Sequence, residues 1–275
     1  MHGNVPLAFA LTLFAGLSTG LGSLVVFLSR TPSLRILSFG LGFSAGVMVF
    51  VSLVELLPQA GIQIASELGD RAGRWLATGC FFGGIGISAL IDRLVPEADN
   101  PHEAVPLADI ARASAGPGGL SAPGPTKPLA RVGLLTALVI GIHNFPEGMA
   151  TFVSAIADAS LGLSIAIAVA VHNIPEGVAV AVPVYFATGR RRPAIVHSFA
   201  SGLAEPLGAL VVWLLLLPFI GKVMVGAMLA TVGGIMVFIS FDELLPTARE
   251  YGHGHTEIVG IVLGMAVMAV SLLVT

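Results

Sequence analysis

Long apolar runs, separated by short polar or glycine-rich turns, dominate the pattern along the chain. A helix needs about 20 apolar residues to cross a hydrocarbon core of roughly 30 Å, and the runs here are that long and continuous. A transmembrane barrel would instead show short strands of alternating polarity. The pattern therefore predicts eight transmembrane helices, which we call spans 1 to 8. They lie at about 5–28, 36–58, 73–95, 131–157, 160–187, 194–217, 223–247 and 257–274.

Composition agrees with a chain that lies in a bilayer. Of its 275 residues, 55% are hydrophobic and 11% are charged, against roughly 25% charged in an ordinary soluble domain. The net charge of -3 is too small to indicate a nucleic-acid partner. A single cysteine, Cys80, excludes an internal disulfide and a cysteine-rich zinc site. We predict one transmembrane domain over residues 1–275, with the lipid bilayer as its surroundings.

One long polar segment interrupts the apolar pattern, at about 96–129 between spans 3 and 4. It is rich in proline, glycine, alanine and serine, and it cannot bury enough apolar area to fold by itself. We predict that it is a disordered loop on the cytoplasmic side of the membrane.

The distribution of lysine and arginine predicts the orientation, because these residues prefer cytoplasmic loops. With the N-terminus outside, three basic residues lie outside, namely Arg71, Arg74 and Lys222. The other ten then lie inside: Arg30, Arg35, Arg93, Arg112, Lys127, Arg131, Arg190, Arg191, Arg192 and Arg249. The sequence therefore predicts that both termini lie on the outer side.

Two internal repeats organise the chain. The motif HNFPEG at 143–148 in span 4 returns as HNIPEG at 172–177 in span 5. A second repeat relates GVMVFVSLVELLP at 46–58 to GIMVFISFDELLP at 234–246. These two segments close spans 2 and 7, which cross the membrane in opposite directions. An inverted repeat of this kind is common in transporters and predicts a 3+2+3 arrangement, with spans 4 and 5 inserted between related halves.

Polar residues in the middle of the spans are the candidate site. An ionised side chain near the bilayer centre costs between about 2.5 and well over 10 kcal/mol, so it is presumed functional or paired. In each HNxPEG motif the histidine and glutamate are four positions apart and share a helix face with the asparagine. No lysine or arginine lies at that depth, so we expect a metal cation to balance the charge. The candidate ligands are His143, Asn144, Glu147, His172, Asn173, Glu176 and Glu205.

Prolines and glycines support this interpretation. Pro146, Pro175 and Pro206 have no N–H to donate, so each is expected to kink its span and leave a carbonyl oxygen near the ligands. Gly148 and Gly177 leave room for neighbouring helices to approach closely. The alternative is that the histidines and asparagines only link spans 4 and 5 by hydrogen bonds.

Further polar residues lie towards the span ends. Glu55 is the repeat counterpart of the pair Asp242 and Glu243, and we interpret these as outer and inner stations for a passing cation. His197 shares a helix face with Glu205 and is a candidate for the inner exit. The alternative for all four is an interfacial side chain that reaches water. We interpret His253 and His255 as exposed loop residues, and the alternative is that they collect metal arriving on the inner side.

The doubled HNxPEG motifs in a 3+2+3 plan closely resemble the ZIP family of divalent metal-ion transporters. The stretches HNIPEGVAVAVPVYFATG and SGLAEPLGA look most like its bacterial ZupT-type zinc uptake branch. The resemblance implies a binuclear metal centre between spans 4, 5 and 6, with the two motif glutamates bridging the ions. One site would use His143, Glu147, His172 and Glu176. The other would use Asn144, Glu147, Asn173, Glu176 and Glu205.

The expected function is import of divalent metal into the cytoplasm across a bacterial inner membrane. Imidazole, amide and carboxylate ligands suit zinc and also iron, manganese, cobalt or cadmium. No prosthetic group is expected, and the resemblance implies a homodimer. The alternative is an intramembrane zinc hydrolase, in which Glu147 activates a metal-bound water. The symmetric duplication and the surplus of ligands favour a transport path over an open catalytic zinc.

Overall fold

A computed structural model of the chain describes residues 4–24, 34–94, 129–188, 190–252 and 254–274. These residues form helices and contain no strand. Seven helices in this described part are long and apolar enough to cross a membrane, judged by length and composition. The place of predicted span 4 is taken by a further helix of 29 residues, Leu129–Ala157. Almost all of the predicted loop at 96–129 lies outside the described residues.

Five spans are single helices, and three consist of consecutive helical segments. The single helices are Val5–Gly22 for span 1, Asp70–Leu94 for span 3, Leu129–Ala157 for span 4, Ala159–Thr188 for span 5 and Thr256–Val274 for span 8. Span 2 consists of Leu34–Val51, Ser52–Leu56 and Leu57–Leu68. Span 6 consists of Arg191–Gly202, Ala204–Val211, Val212–Leu216 and Leu217–Phe219. Span 7 consists of Lys222–Ile239, Ser240–Leu244 and Leu245–Tyr251.

Spans 2 and 7 each contain a wide π-helical turn at the same place in the repeated segment. In span 2 the N–H of Leu57 donates to the carbonyl of Ser52, and in span 7 the N–H of Leu245 donates to that of Ser240. A proline follows one position later in both copies and has no N–H to continue the regular pattern. Such turns occur often at functional sites, and these two include Glu55 and Glu243.

The predicted end of span 2 at residue 58 is wrong. The helix continues to Leu68, because Pro58 occupies the start of the next segment, where a missing N–H removes no hydrogen bond. Glu55 therefore lies well inside a span that covers Arg35–Leu68. The alternative that the Glu55 carboxylate reaches interfacial water from a helix end is therefore no longer supported.

Span 6 is interrupted at Leu203, which forms a turn between two helical segments. The interruption lies three residues before Pro206, which cannot donate to the carbonyl of Gly202. Glu205 consequently lies in the first turn of the segment Ala204–Val211. Backbone N–H groups at such a helix start favour a negative charge.

The spans form two groups that are defined by close glycine contacts. A methyl group added at Gly16 would lie 2.3 Å from the carbonyl oxygen of Gly202, which joins spans 1 and 6. One added at Gly84 would lie 2.1 Å from the oxygen of Thr231, which joins spans 3 and 7. Among the described glycines, every such contact below 3 Å stays within spans 1, 4, 5 and 6 or within spans 2, 3, 7 and 8.

Side chains make the contact between the two groups. The Ser44 hydroxyl of span 2 donates to the carbonyl of His172 in span 5 over 3.4 Å. A methyl group added at Gly40 would lie 3.8 Å from the Cβ of Pro175, which is an ordinary contact distance. Helices are thus packed backbone to backbone inside each group and less closely between the groups.

Candidate metal centre

Three ligand side chains from spans 4 and 5 meet in the interior. Glu147, His172 and Glu176 each offer one ligand atom, and these atoms lie within 4.8 Å of one another. All three side chains are buried. Donor atoms bound to one zinc ion at roughly 2.0–2.2 Å lie about 3.4 Å apart in a tetrahedral site. A small contraction of this cluster is therefore enough to enclose an ion.

The ring of His172 is oriented for a ligand role. Its Nδ1 lies 3.1 Å from the carbonyl oxygen of Ala168, which can only accept, so Nδ1 carries the proton. Its Nε2 lies 3.2 Å from Oε1 of Glu147. In a neutral ring of this tautomer, Nε2 presents a lone pair towards the carboxylate, and a cation favours that arrangement. Histidine ligands commonly donate their other ring N–H to a backbone carbonyl in this way.

Asn173 and Glu205 form a second polar cluster beside the first. The Asn173 amide nitrogen donates to the carbonyl of Ala15 over 2.9 Å and also to Oε1 of Glu205. Because the carbonyl of Ala15 can only accept, the orientation of the Asn173 amide is fixed, and Oδ1 of Asn173 points away from that carbonyl. Among the described residues, neither Oδ1 of Asn173 nor Oε2 of Glu205 has a hydrogen-bond partner. Two fully buried oxygen ligands therefore remain available to a cation.

The electrostatics of the two clusters favour a divalent ion. Glu205 interacts electrostatically with both Glu147 and Glu176, so three buried carboxylates repel one another. No lysine or arginine is buried in the part of the chain that the structure describes. Burying such charges without a counter-charge is expensive. One or two divalent cations would supply the missing positive charge.

The motif glycines hold spans 4 and 5 close to their neighbours. A methyl group at Gly148 would lie 2.1 Å from the carbonyl oxygen of Glu205, and one at Gly177 would lie 1.8 Å from that of Thr19. The prediction that Gly148 and Gly177 permit close approach is confirmed. These contacts place spans 1 and 6 against the ligand-bearing faces.

The remaining predicted ligands are only partly described. Asn144 is fully buried on span 4. His143 belongs to the helix Leu129–Ala157, but its side chain lies outside the described residues. The helices run through Pro146 and Pro175 without interruption.

The four candidate pathway residues are less buried than the two central clusters. Glu55 is half-buried and Asp242 is exposed, and Glu243 and His197 are partly buried. The His197 ring places Nδ1 2.7 Å from the carbonyl oxygen of Pro193, which leaves Nε2 as its possible ligand atom. His255 is exposed, as predicted, and His253 lies outside the described residues.

Sequence reasoning missed the contribution of span 1. Ala15 orients Asn173, and the buried hydroxyl of Thr19 has no hydrogen-bond partner among the described residues. The buried hydroxyl of Thr151, one turn beyond Glu147, also has none within that part. Five of the six residues at 15–20 are small, which indicates that another helix approaches there. A backbone carbonyl that acts as an acceptor cannot be recognised from a sequence.

Comparison with known proteins agrees with this geometry. Residues 101–272 match the family model described as ZIP Zinc transporter. A protein named Zinc transporter ZupT from Lysinibacillus sphaericus is 55% identical, with 99% of this chain and 98% of that protein covered. Proteins of the same name from Streptococcus mutans and Campylobacter jejuni are 52% and 50% identical. The match to the Streptococcus mutans protein covers 97% of this chain and 96% of that protein. The match to the Campylobacter jejuni protein covers 98% of this chain and 96% of that protein.

Proposed function

The chain belongs to the family of ZIP zinc transporters, and from this premise we propose that it carries zinc across the bacterial inner membrane into the cytoplasm. One observation carries the proposal: Glu147, His172 and Glu176 converge in a buried cluster that no lysine or arginine neutralises within the described residues. The protein is a multi-pass membrane protein. The hydrolase alternative is set aside, because the relatives are named as transporters.

We propose that two metal ions bind side by side at the centre. His143, Glu147, His172 and Glu176 would hold the first. Asn144, Asn173 and Glu205 would hold the second, with both motif glutamates bridging. The carbonyl-fixed orientation of Asn173 and the available oxygen of Glu205 support the second site. The ligand set lacks thiolates, so we expect reversible binding and passage of iron, manganese, cobalt and cadmium as well as zinc.

Glu55 is the proposed outer station for the arriving cation. It lines a polar cavity of about 390 Å³ together with Asp158 and Ser164. Ser164 lies two helical turns before His172 on the same face of span 5, since the two are eight positions apart. This spacing supports a path that leads from the cavity along span 5 to the central cluster. Gln59 supports Glu55 with a hydrogen bond over 3.4 Å.

The inner station would be formed by Asp242, Glu243 and His197. Glu243 occupies the same π-helical turn in span 7 that Glu55 occupies in span 2. Each turn also begins with a serine. The hydroxyls of Ser52 and Ser240 each donate over 2.7 Å to the carbonyl four residues earlier. This likeness supports the inverted repeat and the 3+2+3 arrangement.

The glycine contacts favour a transport cycle in which the two groups of spans move against each other. Spans 1, 4, 5 and 6 would carry the metal past spans 2, 3, 7 and 8, since backbone contacts make each group rigid. We further propose that both termini lie outside and that two chains form a homodimer.

Uptake by purified protein in proteoliposomes tests the function. Zinc should enter protein-containing vesicles with saturable kinetics, faster than it enters protein-free vesicles. Iron, manganese, cobalt and cadmium should compete, and their order of competition gives the metal range. Zinc entry at the protein-free rate under a zinc gradient would contradict the proposal.

A further inference from the structure

A second cavity is lined by none of the residues of the candidate metal centre. It has a volume of about 690 Å³ and lies between the end of span 7 and the start of span 8. Arg249, His255 and Glu257 supply its polar wall. Phe241, Leu245 and Ile258 are among its apolar lining. Phe241 and Ile258 are exposed on the helix surfaces, so acyl chains can reach the cavity from the bilayer.

Glu257 is the unusual residue in this wall. Its side chain is only 8% exposed, and it has no hydrogen bond or ion pair with any described residue. The carboxylate lines the cavity without such a partner, and inside a largely buried residue it favours a positive or hydrogen-bonding group. A partner that enters the cavity can reach it directly.

The protein backbone holds Glu257 in place. A methyl group added at Gly252 would lie 3.1 Å from Oε2 of Glu257 and 2.5 Å from the hydroxyl of Ser38. That hydroxyl donates over 2.7 Å to the carbonyl of Ala248, which ties span 2 to span 7 behind the cavity. A methyl group added at Gly42 would lie 2.4 Å from the carbonyl oxygen of Glu257. The backbone and side chains around Glu257 are therefore closely packed, which limits its movement.

Arg249 decides which kind of ligand fits. It is exposed in the last turn of Leu245–Tyr251 and lines the same cavity as Glu257. A guanidinium opposes a bound cation and binds phosphate well. The described lining offers a metal only His255 and Glu257, which is too few ligands for a site of its own. A ligand that carries both a phosphate and an ammonium group matches both charges.

We propose that this cavity binds the headgroup of a phosphoethanolamine lipid. The ammonium donates to Glu257, the phosphate accepts from Arg249 with His255 at the rim, and the acyl chains lie along the apolar lining. The site selects ethanolamine over choline, because a quaternary ammonium has no N–H to donate and is recognised instead by aromatic cages. It selects against anionic headgroups such as phosphoglycerol, since the glycerol hydroxyls offer the carboxylate only neutral hydrogen bonds and no positive charge.

Native mass spectrometry of the purified full chain tests the proposal with a headgroup series. Lipids with identical acyl chains carry ethanolamine, its mono- and dimethyl derivatives, choline or glycerol. Affinity should fall with each methyl group, by about tenfold from ethanolamine to choline, because charged hydrogen bonds are lost. Equal affinity across the series in the unmodified protein overturns the proposal without any variant.

Two substitutions locate the site. Glu257→Gln should abolish the preference for ethanolamine, whereas Arg249→Gln should weaken all five lipids alike, because all contain the phosphate. Glu250→Gln is the matched control, since Glu250 is exposed and is not part of the cavity lining. An ethanolamine preference that survives in Glu257→Gln overturns the assignment. The assignment is also overturned if Glu257→Gln keeps its lipid preference but loses a zinc ion that the unmodified protein binds. That result would make the cavity a metal site.

Discussion

At the scale of single residues, backbone carbonyls orient two of the candidate metal ligands. The carbonyl of Ala168 fixes the proton of His172 on Nδ1, and the carbonyl of Ala15 fixes the amide of Asn173. Both acceptors belong to helices that also pack around the cluster. Ligand atoms held in advance lose little conformational freedom when the ion arrives. In the proposed site, which has no thiolates, the same carbonyls would help metal binding to compete with water.

Asn173→Ala tests this preparation. The substitution removes the donor to Ala15 and Glu205, which leaves two buried acceptors and should cost about 1–3 kcal/mol of stability. We also expect a smaller rise in melting temperature on adding zinc, because a ligand that binds more weakly stabilises the folded state less. Thermal unfolding in detergent with and without zinc measures both effects.

Asn4→Ala is the control for that experiment, because Asn4 is an exposed helix cap that accepts from the N–H of Leu7. It should respond to zinc as the unmodified protein does. If Asn173→Ala shows the full zinc response, Asn173 is not part of the metal centre.

At the scale of helices, glycine contacts set how closely the spans pack. The methyl group that alanine would add at Gly177 falls on the backbone of Thr19, which has no room to move inside a packed group. Gly79 is the opposite case, since nothing lies within 4 Å of the added atom. Some glycines are therefore required by a close helix contact and others are not, and only the structure distinguishes the two kinds.

Gly177→Ala should lower the melting temperature and the yield of folded protein, as overpacking typically costs 1–3 kcal/mol or more. Gly79→Ala should leave stability unchanged or raise it by up to about 1 kcal/mol, because alanine favours a helix. Fluorescence-detected size-exclusion chromatography of heated samples compares the two. Equal stability of both variants would contradict the packing described for spans 1 and 5.

The sequence predicts single helices better than their interruptions. Spans 3, 4, 5 and 8 lie within a few residues of their predicted bounds, because apolar length decides them. Span 2 continues past Pro58 since a proline both ends one helical segment and starts the next. The sequence likewise placed Glu147, His172 and Glu176 together by helical spacing. It could not reveal the carbonyl of Ala15, because that contact depends on how distant helices pack.

At the scale of the whole molecule, the candidate metal centre belongs to one group of spans. Glu147, His172, Asn173, Glu176 and Glu205 all lie on spans 4, 5 and 6. The proposed outer and inner stations at Glu55 and Glu243 lie on spans 2 and 7 of the other group. Movement between the groups would therefore change which station the centre faces.

A disulfide between the groups tests whether that movement is needed. The Cβ of a residue at position 40 would lie 3.8 Å from that of residue 175, which suits a disulfide. In a Cys80→Ser background, Gly40→Cys with Pro175→Cys should lose zinc uptake when oxidised and regain it when reduced. Zinc uptake by the reduced double variant and by the Pro175→Cys single variant shows whether transport requires the proline itself.

Position 233 offers the matched control, because its Cβ would lie 3.5 Å from that of Leu56 within one group. The oxidised pair Gly233→Cys with Leu56→Cys should transport as well as its reduced form. Uptake that continues through the oxidised 40–175 pair would show that the two groups need not move apart.

The most direct measurement is zinc uptake by Glu147→Gln and Glu176→Gln in proteoliposomes, beside the unmodified protein and Glu250→Gln. Both central variants keep the volume of the side chain but remove a charge from the buried cluster. We expect each to lose most of its uptake, while the exposed control retains it. Normal uptake by folded Glu147→Gln and Glu176→Gln would mean that metal does not pass through the doubled motif.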